Sequence, residues 1–111
     1  MNLEFIVGEL KLDVRCGEDK LGRKVRGGYV GDLLSDVIGN SSEGDIWVTR
    51  QAHQNIVAVA SLKDHTGIIL VNGSEPDSDT LEKAIKEEIP IMVSELPGFE
   101  VVGKIYKLMH T

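Results

Sequence analysis

From residue 46 onward, short apolar runs alternate with longer amphipathic ones, and that alternation is what most constrains the fold. Ile46-Trp47-Val48-Thr49, rich in β-branched and aromatic residues, reads as a strand. The segment 56–63 is apolar nearly all round, so strand and helix both fit its periodicity. Ala58 and Ala60, its length with flanks, and the strand close behind it favour helix. That following strand, 66–72, holds the continuous run Ile68-Ile69-Leu70-Val71 expected of a strand buried on both faces. Gly73-Ser74-Glu75-Pro76 breaks the chain. Asp79 and Glu82 have capping-box spacing at the start of a helix bearing Leu81, Ala84 and Ile85. A last strand spans 89–94. Pro97 then suits the first turn of a final helix with Phe99, Val102, Ile105, Tyr106 and Met109 as its apolar face. Strand then helix, three times over, predicts an α/β fold: one small domain covering 1–111, a mostly parallel sheet of about 4–5 short strands covered by helices.

The first 45 residues add less regular pieces. Leu3, Ile6, Val7 and Leu10 lie on one helical face with Asn2 as N-cap; a strand alternating Leu3, Phe5 and Val7 is the rival. Residues 12–16 alternate as a short strand, 17–24 are turn-like, and Val25 belongs to an extended piece. Gly27-Gly28-Tyr29-Val30-Gly31 reads as a glycine-rich turn opening a helix that carries Leu33, Leu34, Val37 and Ile38 and stops at Gly39-Asn40. Such a turn offers backbone N–H groups to a ligand or partner.

Charge and composition narrow the function classes. The formal net charge of −6, with both signs intermixed, argues against nucleic-acid binding, which needs a basic stripe. Phe5, Tyr29, Trp47, Phe99 and Tyr106 are too scattered for a base-stacking platform. The single Cys16 cannot form an intrachain disulfide and reads as a buried, inert thiol in a reducing compartment. The N-terminus lacks the pattern of a signal peptide, and no apolar run approaches the roughly 20 residues of a membrane span. A soluble cytoplasmic protein without membrane partners is expected.

Searches for chemistry return one constellation. His53, His65, His110 and Cys16 follow no zinc pattern, so no metal is expected. Gly17–Lys24 starts like a P-loop but has Arg23 where Lys followed by Ser or Thr is required. The glycines at 27–31 lack dinucleotide-fingerprint spacing, and Ser35, Ser61 and Ser94 lack a nucleophile-elbow context. Asp32 and Asp36, four apart, are placed on one helix side, where a solvated acidic face explains them better than a cation site. In a parallel sheet, however, ligands sit beyond the strand carboxyl ends. Thr49, Arg50, Gln51 and His53, then Asn72 and Gly73, then Ser94 and Glu95 fall there. The candidate ligand site is therefore Gly27, Gly28, Tyr29, Asp32, Thr49, Arg50, His53, Asn55 and Asn72, with no catalytic residue, metal or cofactor. His53, Gln54 and Asn55 merely capping the next helix is the alternative.

Residues 27–37, Gly44-Asp45-Ile46-Trp47-Val48-Thr49 and His53–Ala60 resemble the DRTGG domain family, with later support from Ile68–Gly73, Ile89-Pro90-Ile91 and Phe99-Glu100. The resemblance covers nearly the whole chain. It implies an α/β fold similar to the N-terminal domain of HPr kinase/phosphorylase, without that enzyme's catalytic domain or P-loop. It also implies a regulatory role, since such domains accompany phosphotransacetylases and nucleotide-regulated CBS pyrophosphatases. The expectation is a non-enzymatic regulatory or protein-interaction module, working as a homodimer beside a protein partner whose identity the sequence does not give. The alternative is a sensor of a nucleotide or other anionic small molecule at the strand carboxyl ends.

Overall fold

The apolar runs become the centre of one five-stranded sheet in a computed structural model that describes residues 1–111. In chain order the elements are α1 (Leu3–Leu10), β1 (Asp13–Cys16), β2 (Gly27–Val30), α2 (Leu34–Asn40), β3 (Asp45–Thr49), α3 (Asn55–Leu62), β4 (Gly67–Leu70), α4 (Ser78–Glu87), β5 (Ile91–Val93) and α5 (Gly98–Met109). A single 3-10 turn, Glu18–Lys20, lies between β1 and β2. The sheet order is β1-β5-β4-β3-β2. Strands β2 to β5 are parallel neighbours, joined by crossover helices; β1 joins β5 antiparallel, with an irregularity between Val14 and Cys16. The expected mostly parallel sheet with covering helices is therefore the observed architecture.

Period-2 alternation in the central strands divides the core in two. Trp47, Ile68, Leu70, Ile91 and Val93 pack with Val37 and with Ile56, Val57, Ala60 and Ala84 of the helices on one face. Ile46, Val48, Ile69 and Met92 face Leu3, Ile6, Val101 and Ile105 on the other. The helix over 3–10 forms as the periodicity predicts, and Asn2 caps it by accepting the Phe5 N–H at 2.9 Å. Cys16 is buried, and burial pushes its thiol up, away from the reactive thiolate. No helix is long and apolar enough to cross a membrane.

Four local expectations are corrected. The glycine stretch is an edge strand, not a turn into a helix. Gly27 to Val30 run in parallel register with Asp45 to Val48, and a Cβ on Gly27 would stand 2.8 Å from Asp45 Oδ1. The smallness needed there is for close approach to β3. The next helix begins only at Leu34, which leaves Leu33 and Ile38 exposed and Asp32 outside it. On α5 the buried positions are Val101 and Ile105; Phe99 is 93% and Tyr106 63% exposed, and Pro97 precedes the helix as its N-cap. Finally, Asp79 lies inside α4, so no capping box forms, and Ile85 of α4 is exposed. The Thr80 hydroxyl donates instead to the Ala52 carbonyl at 2.7 Å, tying α4 to the loop after β3.

Candidate functional site

Because β2 to β5 run parallel, their carboxyl ends open on one rim of the sheet. A cavity of about 450 Å³ there is lined by Asp32, Arg50, Gln51, Asn72 and Ser74. Asp32 organises it. Its Oδ1 accepts the hydroxyl of the buried Thr49 at 2.7 Å and the Arg50 backbone N–H at 2.9 Å. Its carbonyl accepts from Gln51 Nε2 at 3.1 Å, while Gln51 N–H donates to Thr49 Oγ1 at 3.2 Å. Ser74 Oγ donates to the Arg50 carbonyl at 3.0 Å, joining the loop after β4 to that after β3. Asn72 and Gly73 turn that loop in consecutive left-handed conformations, φ 57° and 68°, a geometry Asn and Gly tolerate best. With its backbone held, the Arg50 guanidinium makes no ion pair within the chain. A guanidinium fork flanked by the amides of Gln51 and Asn72 is a donor set for carboxylate or phosphate oxygens.

The nine residues expected to share a site separate into three places. Asp32, Arg50 and Asn72 line the rim cavity, with Thr49 holding it from beneath. His53 and Asn55 are exposed at the start of α3; Gln54 is the N-cap residue, and no side chain caps the helix. The turn there closes through the backbone, Ile56 N–H to His53 O at 3.1 Å. Gly27, Gly28 and Tyr29 line a different cavity of about 410 Å³, between β2 and the last turns of α5. The Tyr29 hydroxyl donates to Asp36 Oδ2 at 2.7 Å, and that carboxylate raises the tyrosine pKa by holding its proton. Asn40 Nδ2 donates to the other Asp36 oxygen at 2.9 Å. Asp32 and Asp36 thus point to separate networks and form no shared acidic face.

Sequence reasoning missed the α5 wall of this second cavity: Val102, Tyr106, Met109 and His110. The signal was present in the aromatic pair Phe99 and Tyr106 seven residues apart, which was assigned to the core. It also missed the buried His65, 2% exposed. Ser41 Oγ donates to Val37 O at 2.5 Å, so it accepts from His65 Nε2–H at 2.8 Å. That leaves His65 Nδ1 as a buried lone pair with no partner. Desolvation lowers the His65 pKa, so the ring is neutral, lying edge-on to Trp47 with centroids 5.6 Å apart.

Fold and rim together define a mixed α/β domain with a polar cleft at the carboxyl ends of its parallel strands. No family model matches the chain, and no curated protein matches it. Among solved structures it is similar to the regulatory region, comprising CBS and DRTGG domains, of Clostridium perfringens pyrophosphatase, solved with its activator diadenosine tetraphosphate. The TM-score is 0.72 at 20% identity, over 89% of this chain and 43% of that one. The likeness carries the fold alone: a small mixed α/β domain of a kind present in that CBS- and DRTGG-containing region. It spans less than half the length of that regulatory region.

Proposed function

We propose that the chain is a regulatory module that senses a nucleotide or another small anion at the strand carboxyl ends and performs no chemistry of its own. The observation that carries this reading is Arg50, a cation without an ionic partner, on a loop fixed by Asp32 and set beside Gln51 and Asn72. The fold likeness to a regulatory region that was solved with a nucleotide activator supports it. The test is thermal unfolding with inorganic phosphate, AMP, ATP and diadenosine tetraphosphate. A ligand at 100 times its Kd adds about 2.7 kcal/mol of stability. The expected result is a saturable shift with at least one of these, lost in Arg50→Ala and in Asn72→Ala. Four flat titrations, or a shift that Arg50→Ala leaves intact, would overturn the reading.

A second reading is a protein-interaction module that works as a homodimer. It is favoured by the apolar side chains that α5 and β2 leave in solvent, Phe99, Tyr106 and Val30 among them. Monomeric soluble domains seldom expose such a contiguous patch without using it.

A further inference from the structure

The surface formed by the outer stripe of α5 and the uncovered face of β2 has a shape and charge pattern that answer to themselves. On α5, Phe99, Val102, Gly103 and Tyr106 fall at helical spacing i, i+3, i+4 and i+7, on one stripe turned away from the buried Val101 and Ile105. Phe99 projects almost wholly into water. Beside it lies a hollow of about 360 Å³ lined by Val30, Gly98, Phe99, Val102, Gly103 and Tyr106, and beyond Tyr106 the cavity over Gly28. Gly28 lines the hollow over β2. A Cβ there would make ordinary contacts, 3.4 Å to Ile46 Cγ2 and 3.6 Å to Ile46 O, and no left-handed φ requires glycine. Neither the backbone nor the packing of this chain asks for glycine at this position. At Gly103 a Cβ would meet nothing within 4 Å, so the stripe is also open where a second helix would approach most closely.

We infer that this face binds a second copy of the chain, with α5 packed antiparallel on α5 of its partner about a two-fold axis passing near Val102 and Gly103. This rests on the homodimer reading above and names its surface. In that arrangement Phe99 of each protomer enters the hollow beside Tyr106 of the other, so projection and hollow are satisfied together, as an isologous contact requires. The flank of the stripe carries Glu100 near the helix start and Lys104 and Lys107 near its end, all exposed and in no ion pair. An antiparallel two-fold keeps this flank of one helix beside the same flank of the other and sets each Glu100 against the lysines of its partner; a parallel two-fold puts the two flanks on opposite sides and leaves these charges unpaired. A stable interface takes about 600–1,000 Å² from each partner. Phe99 and Tyr106, with about 150–250 Å² per aromatic side chain, supply a large part of that, and Val30, Val102 and Met109 extend it over β2.

The experiment is sedimentation velocity on the full chain. At about 100 μM the wild type sediments as a dimer, as a Kd of about 1 μM or tighter dictates. Phe99→Asp, altering a side chain that packs on nothing in the protomer, gives a monomer with an unchanged circular dichroism spectrum. Glu100→Lys weakens the dimer, more so at low salt, because it sets lysine against the lysines opposite. Adding Lys104→Glu and Lys107→Glu to the same chain restores it. A monomeric wild type would overturn both the homodimer reading and the surface. A dimer that survives Phe99→Asp would overturn the surface while leaving the homodimer reading intact. Dissociation by Phe99→Asp without charge-reversal rescue would overturn the antiparallel two-fold.

Discussion

Replacing Asp32 by Asn separates what holds the rim together from what the rim does. The change preserves shape and keeps an acceptor oxygen, but removes the negative charge from two hydrogen bonds, Thr49 Oγ1 at 2.7 Å and Arg50 N at 2.9 Å. Bonds to a charged acceptor contribute about 1.5–3 kcal/mol and neutral ones about 0.5–1.5. The difference is about 1 kcal/mol per bond, and the solvent around the Arg50 bond reduces its share. The variant is therefore expected to lose about 1–2 kcal/mol, a fall of about 4–8 °C in Tm per kcal/mol at this size. Anion binding should move the other way. Asp32 is the one carboxylate lining a cavity whose cation is Arg50, so neutralising it strengthens the attraction for phosphate. The assay is urea unfolding together with a thermal titration of the anion that stabilises the wild type. A variant as stable as the wild type would refute the anchoring role of Asp32. A destabilised variant whose anion affinity also falls would refute the electrostatic reasoning and show that holding the Arg50 loop in place outweighs the charge of Asp32.

Three further outcomes are expected. His65 has a lowered pKa in the folded protein, so the stability its neutral form contributes is present above the ordinary value near 6.5 and is lost as pH falls below it. The stability measured by urea unfolding should fall between pH 7.5 and 5.5, by no more than about 1.4 kcal/mol per pH unit from this residue, and His65→Leu should remove that component. Gly8→Ala, in α1 where an added Cβ meets nothing within 4 Å, should stabilise by about 0.5–1 kcal/mol in thermal unfolding. Gly73→Ala should destabilise by about 1–2 kcal/mol, because φ of 68° disfavours a side chain, while its approach to Glu95 is relieved by rotating that flexible group.

The second half of the chain was legible because its strands are buried on both faces, so their apolar runs are unbroken and their turns carry the Gly, Pro and Asp that end them. Arg50 and Asn72 followed directly, since strand ends in a parallel sheet locate a cleft without any side-chain detail. The glycine segment misled because its three glycines suit a turn and an edge strand equally in sequence; only the register with Asp45 and Ile46 decides. Helix α5 misled for a different reason. Val101 and Ile105 on one side, and Phe99, Val102 and Tyr106 on the other, make two apolar stripes, and periodicity does not say which is inside. His53 and Asn55 were read at the strand end and the N-terminus of the following helix; they do lie at the exposed start of α3, but the turn at 51–54 leaves them out of the lining of the rim cavity. His65 was invisible because its burial depends on Ser41 and Trp47, distant in the chain.

The pairing of β1 with β5 sets an order of events as the chain is made. Asp13–Cys16 leave the ribosome well before their partners in the sheet, Ile91–Val93. Closing that pair spans roughly 75–80 residues, an entropic demand that β2, β3 and β4 reduce only once they have assembled. Until β5 arrives, the thiol of Cys16 lies outside any core and keeps the reactivity of an ordinary cysteine. The inert thiol of the folded domain is therefore a property acquired only once β5 has paired, and oxidation at this position is expected of nascent or unfolded chains.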